Sequence, residues 1–385
     1  MNKSLKEEFE KEYYIEISTT KGIEYLAPKI GVSKNTLRRF LGKIKSKNQL
    51  SSASLNFIAN FIGYNDYKTF TKQDEKTEST FDFTAIKIFY DSIKNKGVKI
   101  NEDRFQDVNY QFAKKIIENP HTLNLFFTHF HNNIEALEYI LGWHPSYGKI
   151  VKNDYQNILI QFSNKTQISH IKVFANSFVF FGKFISNSLV TADYDLIKKA
   201  EKEMIKMRKE YDFFWAFPEV RFAIAKTLWL YHTKDADLEK YINQTITFIA
   251  KKETSIQSKM IFDFYYADSL NLIGKFEDAN ILQSKHKDIN SIINDNYYHS
   301  NVQLPFFKVS KAISCFKIGK FKEAKKEYQE LKNIDFANLS FDIKDYIELQ
   351  FSQLTDLMYP KNILCKTKIE HIKSKIGFTY TNNFL

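Results

Sequence analysis

Glycine and proline are scarce in this chain: 11 Gly and 6 Pro among 385 residues. Sandwiches and barrels use such residues at nearly every turn. A chain this poor in them is committed to long helices joined by short polar loops. Hydrophobic residues make up 43% of the sequence and aromatic ones 16%, enough to fill a core and to disfavour bulk disorder. No block alternates apolar and polar residues long enough to argue for a sheet. From Phe81 onward the helical pattern breaks only briefly, at Asn95 to Gly97, Asn119-Pro120, Trp143 to Gly148, Ser163 to Gln167, Thr233 to Asp237 and Asn294 to Ser300. The expected fold class is therefore all-α. The length suggests about two or three domains. Residues 71–80, TKQDEKTEST, hold no large apolar side chain. The expected division is a domain over 1–72, a polar linker over 73–80 and a long helical domain over 81–385.

The first twenty residues are charged and lack an apolar run, which predicts no signal peptide. The most apolar stretch, Val173 to Ile185, is too short for a membrane span and carries Lys183. Cys315 and Cys365 each stand alone in an apolar helical pattern and are expected to be buried and reduced. Together these features predict a cytoplasmic protein without a membrane partner.

Positive charge is concentrated near the N-terminus. Residues 1–72 carry 13 Lys/Arg against 7 Asp/Glu, and within 21–47 eight cations face Glu24 alone. Such a spot is the footprint expected of phosphate contact. In the same stretch, Ile23, Leu26, Ala27 and Ile30 share one helical face, Gly31-Val32-Ser33 interrupts, and Leu37, Phe40 and Leu41 form a second apolar stripe. Gly31 can end the first helix at positive φ, and Ser33 can cap the second. Pro28 leaves two registers open. It is either interior, at a cost of about 3 kcal/mol, or in the first turn of a helix starting near Leu26.

These residues resemble the helix-turn-helix of the phage-repressor-like family, on Leu26-Ala27, Gly31-Val32-Ser33, Thr36-Leu37 and Phe40-Leu41. The resemblance continues through a helix capped by Ser51 or Ser52 whose Leu55, Ile58, Ala59 and Ile62 pack beneath the motif, and covers roughly residues 5–72. It implies a small helical bundle that binds double-stranded DNA. Ser33, Lys34, Asn35, Arg38 and Arg39 would face the groove, and Lys43, Lys45 and Lys47 would contact phosphates.

Further along, Ala267-DSLNLIGKFEDANIL-Gln283 and Ala312-ISCFKIGKFKEAKKE-Tyr328 repeat one pattern. Ala267 matches Ala312, Gly274 matches Gly319, Phe276 matches Phe321 and Ala279 matches Ala324. Small alanines allow close helix approach, Gly turns the corner, and the aromatic is expected to fill the gap between neighbouring hairpins. Weaker echoes occur at Ala175 to Phe184 and Ala225 to Leu238. The pattern resembles the tetratricopeptide repeat, although the 45-residue spacing exceeds the usual period of about 34. That resemblance implies an α-solenoid of helical hairpins whose concave face takes a peptide or protein. Tyr265, Tyr266, Asn271, Tyr297 and Tyr298 are candidates to line it.

No P-loop, dinucleotide fingerprint, nucleophile elbow or H-E-x-x-H occurs. His129 and His131, two apart on a helix, point away from each other, and His121 lies eight positions upstream. The expectation is a non-enzymatic protein without cofactor or metal. It would be a DNA-binding transcriptional regulator, dimeric on two half-sites, whose repeat domain senses a partner. The alternative is an adaptor that grips a protein in its repeat groove and uses the basic domain for docking.

Overall fold

In the computed structural model, described residues are 5–13, 17, 19–45, 50–62, 64, 66–68, 70–71, 82–96, 103–286, 289, 303–336, 339–360 and 363–380. Lys47, Tyr297, Tyr298, the 73–80 linker and the Asn294 to Ser300 break fall outside them. Among the described residues the regular structure is helical throughout, with no strand. The chain divides into two compact units, Met1–Asp82 and Phe83–Leu385.

The N-terminal unit contains α1 (Leu5–Glu12), α2 (Thr20–Ile30), α3 (Lys34–Phe40) and α4 (Ser52–Phe61). Thr19 caps α2 by accepting from the Gly22 amide at 3.0 Å. The helix buries Ile23, Leu26, Ala27 and Ile30, as their spacing predicts. Pro28 lies in the last turn of α2, so the register that starts near Leu26 is incorrect. The proline is on the exposed side, where water can satisfy the carbonyl that a proline nitrogen leaves without a donor. Gly31 ends α2 at φ 81°, and Ser33 accepts from the Thr36 amide at 3.0 Å to start α3. Ser51 caps α4 in the same way. Phe9 from α1 fills the centre of this core, edge-on to Phe40 at 5.6 Å.

The C-terminal unit runs through α5 (Phe83–Lys96), α6 (Asp103–Glu118), α7 (Pro120–Phe130) and α8 (Ile134–Leu137). The last continues into a π turn over Glu138–Gly142. Then come α9 (Asn153–Lys165), α10 (Ser169–Ile185), α11 (Tyr194–Glu210), α12 (Ala216–His232), α13 (Leu238–Lys251), α14 (Ile256–Leu272) and α15 (Phe276–Ser284). Four further helices follow: α16 (Leu304–Lys317), α17 (Phe321–Lys332), α18 (Lys344–Met358) and α19 (Ile363–Ile376). The even-numbered helices α10, α12, α14, α16 and α18 pack in series, each against the next. Each has the odd-numbered helix that follows it as a second neighbour.

The apolar stretch Val173 to Ile185 forms most of α10, which is buried on nearly all sides. No helix among the described residues is long and apolar enough to cross a membrane. Gly182 sits mid-helix because a Cβ there would lie 2.5 Å from the Ile150 carbonyl oxygen. Its role is close approach, not a turn.

The two repeated segments do form equivalent helix pairs, α14–α15 and α16–α17. Gly274 and Gly319 turn at φ 79° and 81°, and all four matched alanines are fully buried. The aromatic position departs from expectation. Phe321 is 59% exposed and plugs no gap between hairpins, whereas Phe276 is half-buried beside Lys317 of the next pair. The alanines already close the helix pair, and Phe321 instead meets Phe316 edge-on at 5.3 Å. Cys315 and Cys365 are both buried free thiols.

The C-terminal part of this unit returns to its start. The Tyr147 amide donates to the Asp342 carbonyl at 2.7 Å, and the Tyr380 amide to the Ile185 carbonyl at 2.9 Å. Tyr346 of α18 packs tilted against Tyr147, with ring centroids 4.9 Å apart.

Candidate functional site

Two places carry chemistry, one in each unit. The first is the solvent face of α3. Leu37 and Phe40 are buried, so the helical period turns Asn35 and Arg39 outward, with Arg38 and Lys34 half-exposed beside them. Ser33 is committed to capping. Lys34 is bonded to Glu24 of α2, which neutralises part of its field. Lys43 donates to the Ile17 carbonyl, so it braces the unit as well as exposing its stem. Lys45 is exposed. Of the eight positions expected to meet DNA, the fold thus brings Asn35, Arg38 and Arg39 together on one face and gives Ser33, Lys34 and Lys43 structural duties.

The second is a cavity of about 560 Å³ in the C-terminal unit. Its walls come from α6, the π turn and the loop after it, the start of α10, the start of α12, α14, and residues 340–343. The π turn is what brings its own segment round: the Trp143 amide reaches back to the Glu138 carbonyl at 3.0 Å, and Glu138, Trp143 and His144 all line the space. Single π turns of this kind commonly mark functional positions. Tyr110, Trp143, Phe174, Trp215, Phe217 and Tyr265 make the walls strongly aromatic.

Buried polar groups punctuate those walls. Arg221, 4% exposed, donates to the Tyr147 hydroxyl and packs over the Tyr147, Phe178 and Tyr265 rings at 4.9–5.2 Å. Burial pushes the Tyr147 hydroxyl above the usual tyrosine range, with the Arg221 charge pulling the other way. Behind this pair, Asp268 accepts from Tyr346 at 2.7 Å and from Gln350, tying α14 to α18. Burial raises Asp268 to about 6, against the lowering effect of those hydrogen bonds and of Arg221.

Two histidines also line the cavity. His170 bonds Glu138 through Nε2 at 2.8 Å and stacks on Trp215 at 4.3 Å. His144 is held in place by Asn109. The Asn109 amide oxygen accepts from Tyr90, and its nitrogen donates to the Tyr139 carbonyl and points at His144 Nε2, 3.1 Å away. Nε2 thus meets the amide nitrogen, and Nδ1 faces Asp342 Oδ2 at 3.7 Å. A ring nitrogen already met by an amide is poorly placed to act as a general base. The arrangement suits binding better than proton transfer.

No family model, no curated protein and no solved structure matches the chain. The geometry therefore stands alone as the basis for a functional reading.

Sequence reasoning missed the cavity almost entirely. Of the residues proposed for the concave face, Tyr265 does line it. Tyr266 is a core residue bonded to Thr227 at 2.8 Å, and Asn271 donates to the Ser310 carbonyl. The segment Trp143-His144-Pro145 was legible only as a break between helices. Its density of aromatic and imidazole groups was the available signal. His121, His129 and His131 take no part in it, and no metal-binding group of three occurs among the described residues.

Proposed function

We propose that this protein is a DNA-binding transcriptional regulator whose C-terminal unit senses a ligand or partner. In this reading α2, the Gly31 turn and α3 act as a helix-turn-helix of the phage-repressor-like kind. The remaining helices act as a solenoid related to tetratricopeptide repeats. The observation that carries the proposal is the division of α3: Leu37 and Phe40 behind, Asn35, Arg38 and Arg39 in front, on a helix capped by Ser33 directly after α2 ends at Gly31. An Arg on guanine or an Asn on adenine supplies about 1–3 kcal/mol of discrimination each. One such helix makes few contacts, so the protein is expected to act as a cytoplasmic homodimer on two half-sites.

The test is a duplex titration with the full chain across salt concentrations. Neutralising about four phosphates per subunit gives a log–log slope of about −7 for the dimer, and affinity indifferent to salt contradicts the proposal. Lys45→Ala should weaken all sequences alike, as expected of a phosphate contact.

A second reading is favoured by one specific observation. Tyr25 and Phe57 in the N-terminal unit are 60% and 50% exposed, large apolar surface for so small a unit. They suit an adaptor that docks protein there and grips another in the C-terminal unit. In that case Tyr25→Ser with Phe57→Ser abolishes partner capture and leaves duplex affinity negligible in both forms.

A further inference from the structure

The cavity contains three carboxylates in three different situations. Asp107 is exposed to solvent. Glu138 is spent on His170. Asp342 is 3% exposed, and its Oδ1 has no hydrogen-bond partner among the described residues. Its nearest cationic-type side chain is His144, whose Nδ1 stops at 3.7 Å, longer than a hydrogen bond. The Asn109 contact occupies the other ring nitrogen of that imidazole. Two residues away, Ser340 Oγ is fully buried and likewise unpartnered. A buried carboxylate and hydroxyl left in this state are costly, and native proteins retain such groups chiefly where something else completes them.

We propose that the cavity binds an organic ligand with a protonated primary amine, which Asp342 and Ser340 receive, while its apolar body lies against the aromatic walls. The Asp342 carboxylate accepts, the Ser340 hydroxyl can accept as well as donate, and an ammonium brings three donors and a positive charge. Tyr110 and Trp143 line the same space, and aromatic rings of this kind attract cations to their faces. The lining holds three carboxylates, one of them bonded to His170, and a single guanidinium, that of Arg221. A volume of about 560 Å³ is in the range of small-molecule sites. A free amine and the amino terminus of a short peptide share this chemistry. The proposal rests on reading the C-terminal unit as the ligand-holding part and is independent of DNA.

The test is calorimetric titration of the full chain, without DNA, supported by the fluorescence of Trp143 and Trp215. The probes are 2-phenylethylamine, 2-phenylethanol, phenylacetate, and a short peptide beginning with Phe in free and N-acetylated forms. The amine or the free peptide is expected to bind, with the matched alcohol, acid or acetylated peptide about thirtyfold weaker or worse. Preference between the two binders identifies the source of the ammonium. Asp342→Asn is expected to lose the same thirtyfold. If that variant does not fold, the ranking of probes on the unaltered protein still decides. Equal binding of amine and alcohol, equal binding of free and acetylated peptide, an Asp342→Asn variant with undiminished affinity, or no binding by any ammonium probe at millimolar concentration each overturns the proposal. A duplex titration that fails leaves this result untouched, so the two failures are distinguishable.

Discussion

In the N-terminal unit every buried residue among those described is apolar, from Leu5 to Phe70. The C-terminal unit buries Arg221, Asp263, Asp268, Lys308 and Asp342 along with His144, His170 and His286. The contrast separates two ways of using charge. The smaller unit buries none of the charges among its described residues, and charges left in water cost folding little. The larger one takes charges out of water and must satisfy each of them inside. Some are met by protein, as in Lys311 to Glu327 at 2.9 Å. Around Asp342 and Ser340 they are not. A core that is purely apolar marks a unit whose work lies outside it. A core crossed by polar groups, some incomplete, marks a unit whose work is internal.

The largest expected effect lies in the apolar core. Leu37→Ala empties a fully buried site and should cost the N-terminal unit about 2–5 kcal/mol. Calorimetry of the full chain should then show the transition of that unit falling while the other stays in place. A single transition shifting as a whole would remove the distinction between the two.

The next effect tests the buried charges. Asp268 titrates near 6 in the folded protein and near the ordinary carboxylate value when unfolded. Its pKa is raised, so its contribution to stability is fully present below about pH 4 and is lost as the pH rises through about 6. A shift of about two pH units corresponds to roughly 3 kcal/mol at most. Denaturant titrations from pH 3.5 to 7 should show the unaltered protein losing stability across that window relative to Asp268→Asn. Parallel pH profiles for the two proteins would mean that Asp268 is not desolvated as described.

The smallest effect sharpens the surface side of the comparison. Ser33→Ala removes the cap of α3 and should cost about 1 kcal/mol, with Ser33→Asp retaining most of the stability. Urea midpoints of the N-terminal transition measure this directly. A Ser33→Asp variant as unstable as Ser33→Ala would show that the hydroxyl does more than cap.

What could be read from the amino acids follows the same division. The α2–α3 pair was legible because its determinants are neighbours: four apolar residues at helical spacing, Gly31 at the turn, Ser33 at the cap. Gly274 and Gly319 were legible for the same reason. The start of α2 was obscured by Pro28, whose cost depends on whether its side of the helix faces water, a tertiary fact. The inward placement of Phe321 failed because the matched alanines alone bring the helices together. The cavity was illegible since Gln106 and Asp342 meet only after the chain closes on itself, and no spacing in sequence encodes that meeting.

The account turns on whether the bare face of α3 reads nucleic acid. Selection of binding sites from a random duplex library, using the full chain and its Arg38→Ala, Arg39→Ala double variant side by side, measures this most directly. The account predicts that the unaltered protein enriches a half-site repeated at about one helical turn, and that the double variant loses preference at the arginine-read positions while keeping salt-dependent affinity. A library that emerges unenriched, or a motif the double variant enriches equally well, would contradict it.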